Sequence, residues 1–126
     1  YQFLGNVNLF HARVHDGVAR IGDAKFDAPE YAGQRDSQAL AYVRPHDIEV
    51  LGNRTDGALH AEIELVSVVG PTVRLELRTD NSADIVHAEL SKNHFRALGL
   101  VQGGDAWIRP VNTRVFLEDG EIKGAN

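Results

Sequence analysis

The sequence predicts a mainly β protein: a small β-barrel or barrel-like sandwich with one short helix. Three observations favour this class. Most segments alternate apolar and polar residues, turn signals built on Gly, Pro, Asn and Asp recur about every ten residues, and one segment alone has helical spacing. Short strands at such intervals are typical of small barrels and sandwiches.

The first element predicted is a hairpin. A strand over Asn8–Val14 is followed by Asp16 and Gly17, a pair that favours a tight turn, and then by the apolar alternation of Val18–Ile21. The polar stretch 27–38 that comes next predicts a loop.

Two predicted strands flank Pro45. Residues Ala39–Arg44 form a strand that ends there, because proline lacks the N–H group that a sheet ladder needs. The extended pattern resumes over Ile48–Leu51 and stops at a turn rich in Gly, Asn and Asp over 52–57.

The longest strand signal runs from Leu59 to Val69, and the same alternation returns over 73–78. Val69 and Val73 both belong to the apolar sets, so we expect them to lie opposite each other across a three-residue connection. In that register Glu64 lies opposite Arg78 and forms an exposed ion pair with it.

The helix is predicted directly after a strand over Ile85–Leu90. Ser91 is a favourable N-cap, and Leu90 and Phe95 have the spacing of a hydrophobic staple across it. Gly99 favours a C-terminal stop. We therefore expect about two turns of helix between Ser91 and Gly99.

Two closing strands are predicted over 105–109 and 112–117, before a turn at Asp119–Gly120. Trp107 and Phe116 lie in these strand patterns. We expect both rings in the core, because a base-stacking surface needs exposed aromatic residues interleaved with basic ones, and that interleaving is weak in this sequence.

The composition indicates one domain over residues 1–126, with 43% hydrophobic and 25% charged residues. The absence of cysteine excludes disulfides, thiol catalysis and zinc–thiolate sites. A net charge of -5 without a basic run argues against a nucleic-acid partner. Because the chain begins at Tyr1 and contains no Met, we expect it to be a fragment of a longer polypeptide.

No catalytic residue or metal site is predicted. The sequence lacks a Gly-rich phosphate loop, a nucleophile elbow and an HExxH motif. His11 and His15 are four positions apart, but on a strand this spacing separates them by roughly 13 Å, which is too far for a shared metal. A stand-alone enzyme is therefore the least favoured class.

The densest polar cluster is Arg44-Pro45-His46-Asp47, and it allows two interpretations. In the first, Arg44 and His46 beside an irregular turn bind an oxyanion such as sulfate, because a guanidinium fork and exposed N–H groups match a tetrahedral anion. Ser67 or Thr72 would then supply further donors.

The second interpretation of the cluster is structural. Arg44 pairs with an acidic neighbour, Pro45 ends a strand, and Asp47 hydrogen-bonds to the next turn. The Arg109–Pro110 pair repeats the Arg-Pro strand ending near the C-terminus, which is typical of a recurring architectural device.

The stretch Tyr42–Glu49 resembles the "V-R-P-H-D-I" motif of TOBE domains, the C-terminal accessory domains in ATP-binding subunits of bacterial sulfate/thiosulfate ABC importers. Tyr1–Asn8 is similar to the "F-L-G-x-x-N" junction that follows the ATPase domain in this class, and Leu100–Phe116 is similar to its closing strands. Importer relatives for maltose or polyamines usually carry Glu at the position of His46.

The resemblance implies an OB-like β-barrel with a noncatalytic role in regulation and dimerisation. It implies an ATPase domain upstream that binds ATP and Mg, so no cofactor is expected in this fragment. The implied partners are that ATPase domain, a second copy of the subunit and, indirectly, the membrane permease subunits; the implied location is the cytoplasmic face of the membrane. Two alternatives remain: a small-oxyanion sensor and, more remotely, an OB-type nucleic-acid module.

Overall fold

The computed structural model describes residues 7–118, which form ten strands and one α-helix. The predicted turn at Asp119–Gly120 and most of the Tyr1–Asn8 junction lie outside the described residues. The elements are β1 Asn8–His15, β2 Val18–Ile21, β3 Ala24–Asp27, β4 Ser37–Val43, β5 Ile48–Leu51, β6 Leu59–Val69, β7 Thr72–Arg78, β8 Val86–Ser91, α1 Lys92–Leu98, β9 Asp105–Pro110 and β10 Arg114–Leu117.

The strands form two antiparallel sheets, which confirms the mainly β prediction. Sheet A has the order β10-β4-β1-β2-β3, and sheet B has the order β5-β9-β6-β7-β8. The two edge strands of sheet B, β5 and β8, also contact each other, so this sheet curls towards a barrel.

The buried side chains of both sheets form one hydrophobic cluster. Sheet B contributes large aliphatic residues, among them Ile63, Leu77 and Ile108. Sheet A contributes several alanines beside larger residues, and Phe10 on its central strand is the largest fully buried side chain. Phe10 therefore fills the volume that the small neighbours leave open.

A seam between the sheets runs along the first half of β1, where β2 does not pair with it. The Asn8 side chain bonds twice to the backbone of His87 on β8: Nδ2 donates to the His87 carbonyl at 2.8 Å, and Oδ1 accepts from its N–H at 2.7 Å. The amide of His11 donates to the carbonyl of Asn81, and Ser82 Oγ donates to the carbonyl of Leu9. The last two bonds satisfy backbone groups of β1 that β2 leaves unpaired, and the Asn8 side chain satisfies those of His87 on β8.

The β1–β2 hairpin is confirmed. Asp16 and Gly17 have φ values of 44° and 82°, so both central residues occupy the left-handed region, as a type I′ turn requires. This turn places Arg13 opposite Arg20 and His15 opposite Val18.

The predicted β6–β7 register is wrong. Val69 lies opposite Thr72 and Val68 opposite Val73, so the turn contains two residues, Gly70 and Pro71, and Val69 is 57% exposed. A shift between Ile63 and Leu65 leaves Glu64 without a ladder partner. This bulge restores the pairing of apolar residues on the buried face, because Ile63 then lies opposite Leu77.

Glu64 nevertheless forms the ion pair predicted for it. Arg78 lies opposite Glu62 in the ladder, yet its Nε donates to Glu64 Oε2 at 3.0 Å. The bulge brings the extra residue of β6 within reach of the guanidinium group.

Helix α1 has the predicted start and stop. Ser91 Oγ accepts a hydrogen bond from the amide of His94 at 3.0 Å, and Gly99 ends the helix with a φ of 68°. Leu90 and Phe95 both pack against the core, as the staple requires. Among the described residues, no helix is long and apolar enough to cross a membrane.

The prediction that Trp107 and Phe116 are core residues is wrong. Trp107 is half-buried on the outer face of sheet B, with its ring 5.3 Å from that of His60. Phe116 is 47% exposed and makes an edge contact with Tyr42 at 5.3 Å. Their strand neighbours Ala106, Ile108 and Val115 occupy the inward positions, and alternation then directs both rings outward.

Strand β3 was not predicted from the sequence. Its four residues, Ala24–Asp27, follow β2 after a tight turn and pair with it, so that Arg20 lies opposite Lys25. A four-residue strand with two charged members has too short an alternation to be distinguished from a loop.

Candidate functional site

The Arg44–Asp47 cluster forms a tight 3-10 turn between β4 and β5. Pro45 is buried and begins the turn, and the amide of Asp47 donates to the carbonyl of Arg44 at 2.9 Å. Strand β4 ends at Val43, one residue before the predicted end at Arg44, and the turn redirects the chain from sheet A to sheet B.

The turn is joined to the end of β9, which brings the two Arg-Pro motifs together. Ile48 lies opposite Pro110, and the amide of Val111 donates to the carbonyl of Asp47 at 2.8 Å. The Asp47 carboxylate accepts a bond from Asn112 Nδ2 at 3.2 Å. Asp47 therefore has the structural role expected of it. The turn to which it hydrogen-bonds is not the next one along the chain, however, but the turn after β9.

The two candidate anion ligands lie on the outside of this turn. Arg44 and His46 are both exposed, and His46 Nε2 is 3.7 Å from Asp47 Oδ2. Within residues 7–118, Arg44 has no carboxylate at ion-pair distance, so the acidic neighbour expected for it is missing, whereas Arg109 donates to Glu49 Oε1 at 2.8 Å. Oxyanion binding by Arg44 and His46 stays a prediction.

The further donors considered, Ser67 and Thr72, lie on the β6–β7 hairpin. Ser67 is opposite Arg74 and Thr72 is opposite both Val69 and Ser91. The part of the chain that the structure describes contains no group of three His, Cys, Asp or Glu residues that could hold a metal.

Ion pairs between neighbouring strands cross the outer face of sheet B. Four cross-strand pairs join basic and acidic side chains at 2.8 to 3.0 Å: Arg109–Glu49, Arg78–Glu64, Arg74–Glu89 and His60–Asp105. Each of the three arginines on this face thus has a carboxylate beside it that offsets its charge locally.

The outer face of sheet A is different, because it carries a row of three cations. Arg13, Arg20 and Lys25 occupy successive cross-strand positions on β1, β2 and β3, and we call them the cationic row. Sequence reasoning missed it. The Asp16–Gly17 turn alone would have placed Arg13 opposite Arg20, but Lys25 joins them only through β3.

The other half of the same face is apolar and aromatic. Phe116 lies opposite Leu40, and Tyr42 lies between Leu9 and Arg114. Leu9 and Phe116 are 39% and 47% exposed. We call Leu9, Leu40, Tyr42 and Phe116 the aromatic patch; such exposed apolar groups are typical of interaction surfaces.

Asp36 lies beside the cationic row, and the neighbouring positive charges lower its pKa. The hydrogen bond from Arg13 Nε, 2.9 Å from Oδ1, lowers the pKa of Asp36 most, and the positive charges of Arg13, His15 and Arg20 also lower it. On sheet B, the hydrogen bond from Arg78 lowers the pKa of Glu64 in the same way. Both carboxylates are thus more acidic in the folded protein than in the unfolded chain.

These lowered pKa values predict a loss of stability in acid. The contribution of a carboxylate whose folded pKa is depressed is complete above its unfolded pKa, about 4, and is lost as the pH falls through the folded value. We expect Glu64→Gln to flatten the acid limb of a plot of Tm against pH between about 5 and 2. Glu30→Gln, at an exposed carboxylate outside the ion pairs, is the matched control; parallel acid limbs for Glu64→Gln and the unsubstituted chain would contradict the prediction.

Comparison with known proteins identifies the family. A model of the CysA C-terminal regulatory domain matches residues 8–50, and a model of a TOBE-like domain matches residues 54–111. The chain is 50% identical over 120 residues to the sulfate/thiosulfate import ATP-binding protein CysA 2 of Shewanella oneidensis, covering 95% of this chain and 34% of that protein. It is also 50% identical over 121 residues to the corresponding CysA protein of Nitrosomonas europaea, covering 92% of this chain and 33% of that one.

A solved structure shares the fold at low sequence identity. The cytoplasmic molybdate-binding protein ModG, crystallised with molybdate bound, superposes with a TM-score of 0.63 at 14% identity, covering 88% of this chain and 96% of that one. This likeness concerns the fold alone and agrees with the OB-like architecture. The chain spans about a third of the length of the curated relatives it matches. With the two family models covering most of residues 8–111, the chain belongs to the family of CysA C-terminal regulatory and TOBE-like domains.

Proposed function

We propose that this chain is the noncatalytic regulatory portion of an ATP-binding subunit that drives sulfate or thiosulfate import. The observation that carries the proposal is the 50% identity to two such subunits over more than nine-tenths of the chain. The chain contains no phosphate-binding loop, so we assign the binding of ATP and Mg to the remaining two-thirds of the parent protein.

The proposed partners follow from that role. The ATPase portion of the same subunit is one partner. The membrane permease subunits are contacted through that portion, so the proposed location of the domain is the inner face of the membrane.

A second copy of the chain is the partner we assign to the aromatic patch. Its half-buried Tyr42 and exposed Phe116 offer rigid apolar area at one end of sheet A, which suits a self-complementary contact.

A domain exchange tests the function. The matching 120 residues of the Shewanella oneidensis relative are replaced by this chain, and sulfate uptake is measured in cells that lack their own ATP-binding subunit. We expect uptake to be retained. A second chimera that carries ModG instead is the control, because it shares the fold at 14% identity and should not support uptake.

Two results would contradict the proposal. One is a chimera with this chain that is present at normal abundance, hydrolyses ATP and still imports no sulfate. The other is ATP hydrolysis by the isolated 126-residue chain.

The dimer contact is tested by sedimentation equilibrium. The assignment of the aromatic patch is refuted if the chain is a monomer at high concentration and the Phe116→Glu variant has the same molecular mass.

A further inference from the structure

We propose that Asp56 is a site of covalent modification, at which the side-chain carboxyl group cyclises onto the amide of Gly57 and the residue converts to isoaspartate. An Asp-Gly pair is the sequence that hinders this cyclisation least, because glycine has no side chain beside the attacking nitrogen. The chain contains three such pairs, which begin at Asp16, Asp56 and Asp119. The third lies outside the described residues, and the structure separates the first two. The inference goes beyond the proposed function, since it does not depend on the importer assignment.

The Asp56–Gly57 pair lies in the connection between β5 and β6, and both reacting groups are accessible. Asp56 is exposed, and a Cβ atom added at Gly57 would meet no atom within 4 Å. Within residues 7–118, neither the Asp56 carboxylate nor the Gly57 amide has a hydrogen-bond partner. One backbone bond closes this turn, from the amide of Ala58 to the carbonyl of Thr55 at 3.1 Å. The two groups therefore release no partner before they meet, and the turn opens at low cost.

The Asp16–Gly17 pair has the same two residues, but the fold holds both reacting groups. The amide of Gly17 donates to the carbonyl of Tyr31 at 3.0 Å. Asp16 Oδ1 accepts from the amide of Gly33 at 2.8 Å, and the Asp16 amide donates to the carbonyl of Gln34 at 2.7 Å. The nitrogen and the carboxylate must both lose a partner before the ring can close at this pair.

The reaction needs water as its only co-reactant. The Gly57 nitrogen attacks Cγ of the protonated Asp56 carboxyl group, an N–Cγ bond forms, and one water molecule leaves with the carboxyl hydroxyl group and the amide proton. The product is a five-membered succinimide. A water molecule then adds to one of its two carbonyl carbons. Opening at the side-chain carbonyl restores aspartate, whereas opening at the backbone carbonyl leaves the main chain running through Cγ as isoaspartate.

Isoaspartate would alter the connection between β5 and β6. It adds one methylene group to the main chain and leaves the former backbone carboxyl group of Asp56 as a free carboxylate. The next two residues, Ala58 and Leu59, are buried, so the change lies at the border between an exposed turn and the core. An exposed isoaspartyl carboxylate is the group that repair methyltransferases esterify with S-adenosylmethionine. Asp56 is thus the point at which such an enzyme would act on this chain.

The test is a prolonged incubation of the folded 126-residue chain in warm neutral buffer, followed by digestion with trypsin. The three Asp-Gly pairs fall in separate tryptic peptides, residues 14–20, 55–74 and 115–123. Isoaspartate in each peptide is measured by labelled methyl transfer from an isoaspartyl methyltransferase and by chromatography against synthetic isoaspartyl peptides. We expect peptide 55–74 to accumulate isoaspartate at least about tenfold faster than peptide 14–20, because the second reaction must first break two hydrogen bonds.

Two comparisons separate the effect of the fold from that of the sequence. In urea, peptides 14–20 and 55–74 should accumulate isoaspartate at similar rates, since both pairs then lack tertiary contacts. Asp56→Glu keeps the charge but would have to close a six-membered ring, which forms far more slowly, so its peptide 55–74 should stay unmodified.

Three results would overturn the proposal. The first is isoaspartate at Asp16 forming as fast as at Asp56 in the folded chain. The second is a peptide 55–74 that is modified in urea but not in the folded chain. The third is the same difference in rate between the two peptides in urea as in the folded chain, because the fold would then not be its cause. The uptake assay above is independent of all three.

Discussion

Replacing Phe10 by alanine is expected to lower the free energy of unfolding by about 3 to 5 kcal/mol, the usual cost of truncating a fully buried Phe. Phe10 has no exposed surface and lies on the central strand of sheet A. Its neighbours on the inner face, Ala12 and Ala41, are too small to fill the space that its ring leaves. The cavity should therefore persist, and the cost should lie in the upper part of that range.

Urea unfolding measured by far-UV circular dichroism checks this expectation, and Phe116→Ala is the matched control. Phe116 is on the same sheet but 47% exposed, with one edge contact to Tyr42, so its truncation should cost about 1 kcal/mol or less. Similar losses for the two variants would mean that Phe10 does not occupy the core position described.

Replacing Asn8 by alanine is expected to cost about 2 to 4 kcal/mol. The Asn8 side chain is 4% exposed and satisfies both the N–H and the carbonyl group of His87. Its removal leaves two backbone groups without partners at the seam, and each unsatisfied buried group costs about 1 to 3 kcal/mol. The Asn8 side-chain amide thus makes the two hydrogen bonds to His87 that the backbone of a neighbouring strand residue would otherwise make.

The same unfolding experiment tests the Asn8 prediction with two companions. Asn8→Asp keeps an acceptor for the His87 N–H but places a carboxylate against the His87 carbonyl, so it should also destabilise the protein. Asn53→Ala, at an exposed turn position, should change the stability by no more than about 0.5 kcal/mol. A loss for Asn8→Ala no larger than that of Asn53→Ala would show that the seam is not held by this side chain.

Short-range features of the fold were predictable because a few neighbouring residues decide them. The type I′ turn at Asp16–Gly17 follows from two residues that tolerate positive φ. The helix cap at Ser91 and the stop at Gly99 follow from the hydroxyl group and from the missing side chain. The strand end at Pro45 follows from the missing N–H.

The candidate site was only partly predictable. The Arg44–Asp47 motif indicated the family, and its turn is in place, but the bond from Asn112 to Asp47 joins residues 65 positions apart. The cationic row depends on β3, and this strand is too short for an alternation of apolar and polar residues to predict it. Lys25 meets Arg20 only because β3 pairs with β2, and the ion pair of Arg13 with Asp36 joins residues 23 positions apart.

The sequence by itself determined the class of the fold, the positions of most strands and the family, since alternation, turn residues and the Arg-Pro-His-Asp-Ile string are local patterns. The tertiary structure decided which distant strands pair, where the β6 bulge lies and which apolar residues stay outside. The reason is physical: alternation gives each strand two faces, but the face that is buried depends on the partner strand. Trp107 and Phe116 point outward because their strand neighbours Ala106, Ile108 and Val115 complete the shared core.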